Sequence, residues 1–270
     1  MRIDENIGLI GGGQMGEALI RGMINGGVVS ADRIVVMEPD EERAARLGDE
    51  YHIRVERDPA ALAGRCRVLL LAVKPQVVSS VLPLYSDYLR GDHLVISIAA
   101  GIAIRTLEAG LPAGTRVIRV MPNTPALVLA GASAFCTNDS AGEEDAVLAR
   151  GIFSSVGVCL QVNESLLDAV TGLSGSGPAY VFAFIEALTD GGVLAGLPRD
   201  IAEKLVLQTV YGAAKLLMET GEPAAVLKGK VTSPGGTTIT GLRVLEEAGF
   251  RGALMNAVEA AAERSEELGR

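Results

Sequence analysis

Tryptophan is absent from this chain, histidine occurs twice and cysteine three times in 270 residues. Each scarcity excludes a class of chemistry. His52 and His93 stand at no ligand-like spacing from a cysteine, a carboxylate or each other, which argues against a zinc or iron site and against Ser-His-Asp hydrolysis. Cys66, Cys136 and Cys159 are odd in number, far apart and set in apolar, strand-like context, so they read as small buried hydrophobes and not as a disulfide framework. Basic residues are outnumbered, 24 Lys and Arg against 33 Asp and Glu, giving a formal charge of −9. No basic field exists to gather nucleic acid or anionic lipid, and an anionic substrate needs a local site. The longest uncharged stretch, residues 120–138, is broken early by Pro122, Asn123 and Pro125. The start, MRIDENIGLIGGG, has acids where a signal peptide has bases, so the expectation is a cytoplasmic protein without a membrane span.

What the chain does have is apolar material, 49% of its residues, arranged in two rhythms. Up to about residue 163, short apolar runs (IGLIG, RIVVME, RVLLLAV, HLVISIA, TRVIRVM, then ASAFCT and VGVCLQV) alternate with helical patterns such as DEERAARLGDE. The first five are apolar nearly throughout, as strands of a parallel sheet covered by helices on both faces are. Beyond residue 163, segments rich in Ala, Leu, Glu and Lys predict helices near 177–195, 198–220, 237–248 and 250–267. The predicted fold class is α/β, with an N-terminal Rossmann-like doubly wound domain over 1–163 and an all-helical substrate-binding and dimerisation domain over 164–270. The segment SGPAYVFAFIEALTDGGVLAG carries few charges on any face, and an element apolar nearly all round must be covered nearly all round. The short helical half has little to cover it with, so an intertwined homodimer is expected.

In IGLIGGGQMGEALIRGM a strand runs into Gly11, Gly13 and Gly16 and then into an amphipathic helix. This is the dinucleotide fingerprint: a tight turn, close approach of backbone to a pyrophosphate, and amides with a positive dipole end at the helix start. Gln14 and Met15 lie in the same turn. Glu38 ends the second strand about 20 residues past Gly16, where an acid accepts hydrogen bonds from the adenosine ribose and repels the extra phosphate of NADP. Arg43, one turn later, is placed to pair with that phosphate, so NADH or NADPH is the expected cofactor, the balance leaning to NADH. Ala72, Val73, Lys74 and Pro75 follow a strand at the carboxyl edge of the sheet, where ligands bind in such folds; Lys74 taken alone is equally a solvated surface residue. Met121, Pro122 and Asn123 repeat the arrangement in RVMPNTPAL, which also reads as a rigid connection.

The run VTSPGGTTITGL, residues 231–242, holds four threonines, a serine and three glycines without one charge. Amides around Gly235, Gly236, Thr237 and Thr238, at a helix start, can hold a small anion without an arginine, and Ser233 and Thr238 add hydroxyls. A glycine-bearing helix cap with no ligand is the plainer reading. With TGLSGSGPAY (171–180) added, the motifs in this order resemble those of Δ1-pyrroline-5-carboxylate reductases, over nearly the whole chain, and VTSPGGTTITGLRVLEE is the most specific of them. The resemblance implies NAD(P)H-dependent reduction of a cyclic imine to L-proline, the last step of proline biosynthesis, by an interlocked homodimer that assembles further, commonly to a decamer. It makes Ser233, Thr237 and Thr238 the cradle for the substrate carboxylate, supplied across the dimer to the partner's cofactor. It also brings Thr171 near the ring nitrogen. A neutral hydroxyl is a poor general acid, so Thr171 is expected to orient the nitrogen while an already protonated imine, or water, supplies the proton. Gly175, Gly177 and Pro178 shape the approach to the long helix beginning near Ala179, or form a tight interdomain turn. Two positions depart from the family pattern: Asp58 and Lys230 stand where many or some relatives carry asparagine near the cofactor.

Two other readings share the first half. A β-hydroxyacid dehydrogenase needs a catalytic lysine on the first long helix, and GPAYVFAFIEALTDGG has none; Glu186, Asp190 and Tyr180 are its only ionisable side chains. A non-catalytic dinucleotide sensor has no use for a second, hydroxyl-rich anion site.

Overall fold

The structure, a computed structural model, describes residues 2–269. Eight strands form one sheet: β1 (Ile7–Ile10), β2 (Ile34–Met37), β3 (Arg54–Val55), β4 (Val68–Leu71), β5 (Leu94–Ser97), β6 (Arg116–Met121), β7 (Gly131–Thr137) and β8 (Gly157–Gln161). Their order is β3-β2-β1-β4-β5-β6-β7-β8. Every pairing is parallel except β6 with β7. The short turn Thr124–Val128 between those two leaves no room for a crossover helix, so the chain must return antiparallel. The expected doubly wound α/β architecture is therefore present, with an added reversal at its far edge.

Strands β1, β4 and β5 are buried at every position, as their unbroken apolar sequences require. Their side chains alternate between two cores. Ile7, Leu9, Val68 and Leu70 face the first, with Leu19, Ile20 and Met23 of the helix Gln14–Asn25 and Phe153 of the helix Glu143–Ser154. Ile10, Leu69 and Leu71 face the second, with Leu62, Tyr85 and Leu107 from helical segments on the opposite side. The period of two along each strand thus becomes two helix-covered faces.

Arg119 of β6 is buried, at 6% exposure. Its guanidinium lies 3.1 Å from Glu164 and 3.8 Å from Asp168. Glu164 also accepts from the Ile104 amide at 2.7 Å, and Asp168 from the Ser265 hydroxyl at 2.7 Å. One buried cation therefore gathers two carboxylates and, through Asp168, the last turns of the C-terminal helix Phe250–Leu268.

The chain divides into two compact units. One comprises everything up to Ser176 together with the residues from Ala260 on; the other is Gly177–Glu259. The composition change after residue 163 marks the end of the last strand, whereas the segments Glu164–Leu166, Leu167–Val170 and Thr171–Gly175 stay with the sheet, Leu167 being buried against Ala134 and Cys136. The second unit is helical: Gly177–Leu194, Arg199–Thr220, Ala224–Lys230, Thr237–Glu247 and the beginning of Phe250–Leu268. The short helix Ala224–Lys230 adds to the four expected ones. The rings of Phe184 and Phe250 meet at a tilt with centroids 6.1 Å apart, and the Tyr180 hydroxyl donates to the Ala257 carbonyl at 3.2 Å. Even so, only Thr189 of the helix Gly177–Leu194 is buried, and Leu194 is 91% and Phe182 64% exposed.

Candidate functional site

The carboxyl ends of β1, β2, β4, β5 and β6 lie along one edge of the sheet, because these strands are mutually parallel. β1 sits between β2 and β4, the point at which the winding reverses and a crevice opens. Topology therefore brings together the sequence-predicted residues Gly11 to Gly16, Glu38, Ala72 to Pro75 and Met121 to Asn123. Ala72 extends the ladder, its amide donating to Ile10 at 2.8 Å. Gly11 has φ +98°, and a Cβ on it would stand 2.6 Å from the Ala72 carbonyl oxygen. A side chain there is excluded twice, by conformation and by space. Gly13 is the N-cap of the helix Gln14–Asn25 and supplies no side-chain cap, so the first-turn amides depend on an outside acceptor.

Beside this turn a cavity of about 580 Å³ is lined by Gly11, Met37, Glu38, Glu41, Val73 and Tyr85, among others. The Glu38 carboxylate accepts from the Gly12 amide at 2.7 Å, the Asp40 amide at 3.0 Å and Arg43 at 3.3 Å. Its side chain is 5% exposed. The link from Glu38 to Gly12 joins the second strand's end to the glycine turn and was not legible in the sequence. Two helices flanking the crevice are braced nearby: Glu17 accepts from Arg46 at 2.5 and 2.8 Å and from the Tyr51 hydroxyl at 3.1 Å. The Arg46 guanidinium holds the Glu17 carboxyl below its usual range, while burial first, and then Glu17, push the Tyr51 phenol up to about 12. Lys74 is exposed at the start of the turn Pro75–Val77. A dinucleotide fits these residues: a side-chain-free turn, open helix amides, and a carboxylate at the ribose end.

Asn123 is buried and uses both ends of its amide within the protein. Its Oδ1 accepts from the Ala132 amide at 2.8 Å, and its Nδ2 donates to the Ser174 carbonyl at 3.0 Å. It therefore pins the β6–β7 turn to the segment Thr171–Gly175. That segment is a π-helix, a wide turn frequent at functional sites. Of the two sequence readings, an approach to the long helix or a tight interdomain turn, the first describes the chain, which passes helically through this segment into Gly177–Leu194. Gly175 also meets this turn, since a Cβ on it would lie 2.6 Å from Met121 Cε. Thr171 is partly buried, and its hydroxyl donates to the Leu167 carbonyl at 2.8 Å. With its hydrogen so engaged, Thr171 Oγ1 presents lone pairs to any other partner.

The hydroxyl-rich run lies in the other unit. Gly235 has φ +68°, and the Gly236 amide donates to the Ser233 carbonyl at 3.1 Å, closing a tight turn. Gly236 is the extended N-cap of the helix Thr237–Glu247 and provides no side-chain cap. Asp40 and Asp58, by contrast, accept from the first-turn amides of the helices they precede. The helix beginning at Thr237 thus leaves its leading amides open beside the hydroxyls of Ser233, Thr237 and Thr238. A Cβ on Gly236 would stand 2.3 Å from Ser233 Oγ. The two departures from the family pattern have local roles: Asp58 is a helix cap, and Lys230 makes 2.7 Å bonds to both carboxylate oxygens of Glu222.

The family model for pyrroline-5-carboxylate reductase dimerisation matches residues 164–268, and the model for NADP oxidoreductase, coenzyme F420-dependent, matches residues 6–101. The chain is 50% identical over 267 residues to a pyrroline-5-carboxylate reductase of Methanosarcina acetivorans, covering 99% of each. Among solved structures it is similar to a pyrroline-5-carboxylate reductase from Coxiella burnetii, with TM-score 0.95 and 35% identity, covering 99% of this chain and 100% of that one. It is also similar to the Plasmodium falciparum pyrroline carboxylate reductase with NADP bound, with TM-score 0.89 and 36% identity over 100% of both chains.

Proposed function

The chain belongs to the pyrroline-5-carboxylate reductase family, and from that membership we propose that it reduces Δ1-pyrroline-5-carboxylate to L-proline, the last step of proline biosynthesis. NADH or NADPH, when bound, supplies the hydride. The protein's contribution is positioning. The glycine turn and the open amides of the helix Gln14–Asn25 hold the pyrophosphate. Ala72 to Pro75 and Met121 to Asn123 line the same edge of the sheet. The cradle of Ser233, Gly235, Gly236, Thr237 and Thr238 receives the substrate carboxylate. One observation carries this reading: a helix start without a side-chain cap, with Ser233 beside its Gly236 cap and threonines at its first two positions, in a chain whose other unit holds a dinucleotide turn. Such a start is built to accept an anion.

Thr171 orients the ring nitrogen. Its hydrogen goes to Leu167, so its oxygen is the acceptor for the N–H of a protonated imine, and the proton is already on the substrate when it binds. The cradle is supplied by the partner subunit of a homodimer, and the dimers assemble to a decamer. No described helix is long and apolar enough to cross a membrane; a cytoplasmic location belongs to this proposal. The helix Gly177–Leu194 holds no lysine, which leaves the hydroxyacid dehydrogenase reading without its base.

The test is steady-state oxidation of NADH or NADPH with the pyrroline substrate. Thr238→Ala raises KM by about ten- to a hundredfold, the worth of a hydrogen bond to a charged group. Thr171→Ala instead lowers kcat. Unchanged kinetics in both variants would remove both assignments.

A further inference from the structure

The adenosine end of the cofactor site carries more negative charge than a second phosphate tolerates. Glu38, Asp40, Glu41 and Glu56 stand in or beside the cavity, with two guanidinium groups among them. Both are already engaged. Arg57 lies 3.0 Å from Glu41, and Arg43 lies 3.3 Å from Glu38 and 3.8 Å from Asp40. Arg43 is the residue that the sequence offers to a 2′-phosphate, and the fold has turned it toward carboxylates.

Glu38 differs from its acidic neighbours in being fixed and dry. Its Oε1 takes the Asp40 amide and Arg43, while its Oε2 takes the Gly12 amide alone, all with the side chain only 5% exposed. A carboxylate has about four lone-pair sites, so one remains, on Oε2. That position accepts a hydroxyl hydrogen and repels a group that offers only acceptors and negative charge. The Gly12 bond prevents the carboxylate from swinging aside without loosening the glycine turn that holds the pyrophosphate.

We infer that Glu38, locked between the Gly12 amide and Arg43, makes this chain select the dinucleotide with a free ribose 2′-hydroxyl, so that NADH is preferred over NADPH. The inference rests on the cofactor site of the reading above and on no feature of the imine chemistry.

Two measurements test it: dissociation constants for NADH and NADPH from quenching of cofactor fluorescence without substrate, and kcat/KM for each cofactor with the pyrroline. The expected result is at least about a tenfold preference for NADH in both, the effect of a like-charge contact of modest size. Glu38→Ala frees Arg43 and shifts the NADPH-to-NADH ratio toward NADPH by about tenfold or more; adding Arg43→Ala abolishes that gain. Because a loosened glycine turn weakens both cofactors, the ratio is the readout. Equal binding of the two cofactors by the unaltered protein, or an unchanged ratio in Glu38→Ala, overturns the inference. So does a loss of NADPH binding in Arg43→Ala alone. Tight, NADH-selective binding with no turnover of the imine upholds the inference and defeats the reductase reading, so the two fail separately.

Discussion

Cys66, Cys136 and Cys159 are buried, and burial pushes their thiols up to about 12, 11 and 12 respectively. Desolvation disfavours the charged form, and the thiolate is the reactive form. At pH 8 the folded protein should therefore show no thiol reacting rapidly with a disulfide reagent such as Ellman's. Three equivalents react after denaturation in guanidinium chloride. A fast equivalent in the native protein would contradict the burial of whichever cysteine a mass map identified. These cysteines were legible because their apolar neighbours in sequence are also their environment in the fold. The placement of Gly11, Gly13 and Glu38 was legible for a related reason: it depends on a strand end and the turn that follows. The Gly12–Glu38 bond and the double engagement of Asn123 were not, since their partners come from distant parts of the chain and only the fold sets the register between them.

Most elements declared themselves by period. Buried parallel strands read as unbroken apolar runs, and the helices of the second unit fall close to the predicted spans. The reversal at β7 was hidden, because ASAFCT has the same composition whichever way it runs. Hidden too was the π-turn Thr171–Gly175, which lies ahead of the first helix expected in this half. Asn123 holds that turn to the β6–β7 connection: it donates to Ser174 and is itself fixed by the amide of Ala132 in β7. Asn123→Ala leaves a buried amide and a carbonyl without these partners, at a cost of about 1–3 kcal/mol each when nothing replaces them. The expected outcome is a lowered melting temperature by calorimetry together with a fall in kcat, as Thr171 loses its support. Asn123→Asp keeps an acceptor for Ala132 but turns a second oxygen toward the Ser174 carbonyl, so it should recover neither the stability nor the kcat. A lowered melting temperature with kcat unchanged would mean that Asn123 serves the fold alone.

At the scale of the whole molecule, the second unit cannot be the finished surface of a monomer. Phe182, Leu194, Met218 and Met255 are 64, 91, 80 and 70% exposed, in the region matched by a dimerisation family model. Large apolar side chains left this exposed on several helices mark surface that a partner covers. Phe182→Glu should weaken the dimer in light scattering and lower activity in proportion. Subunit mixing carries the argument further. If the cradle of one subunit serves the Thr171 and glycine turn of its partner, a dimer of one Thr171→Ala chain and one Thr238→Ala chain holds one intact site and one doubly impaired site. Random reassembly of equal amounts makes half the dimers mixed, so about a quarter of the wild-type sites should return from two crippled preparations. Sites built within a single subunit give no recovery, since each chain then keeps its own defect. Activity remaining at the average of the two variants after demonstrated exchange would therefore place the cradle and Thr171 in the same subunit, and the apolar helices would hold the dimer together without completing its chemistry.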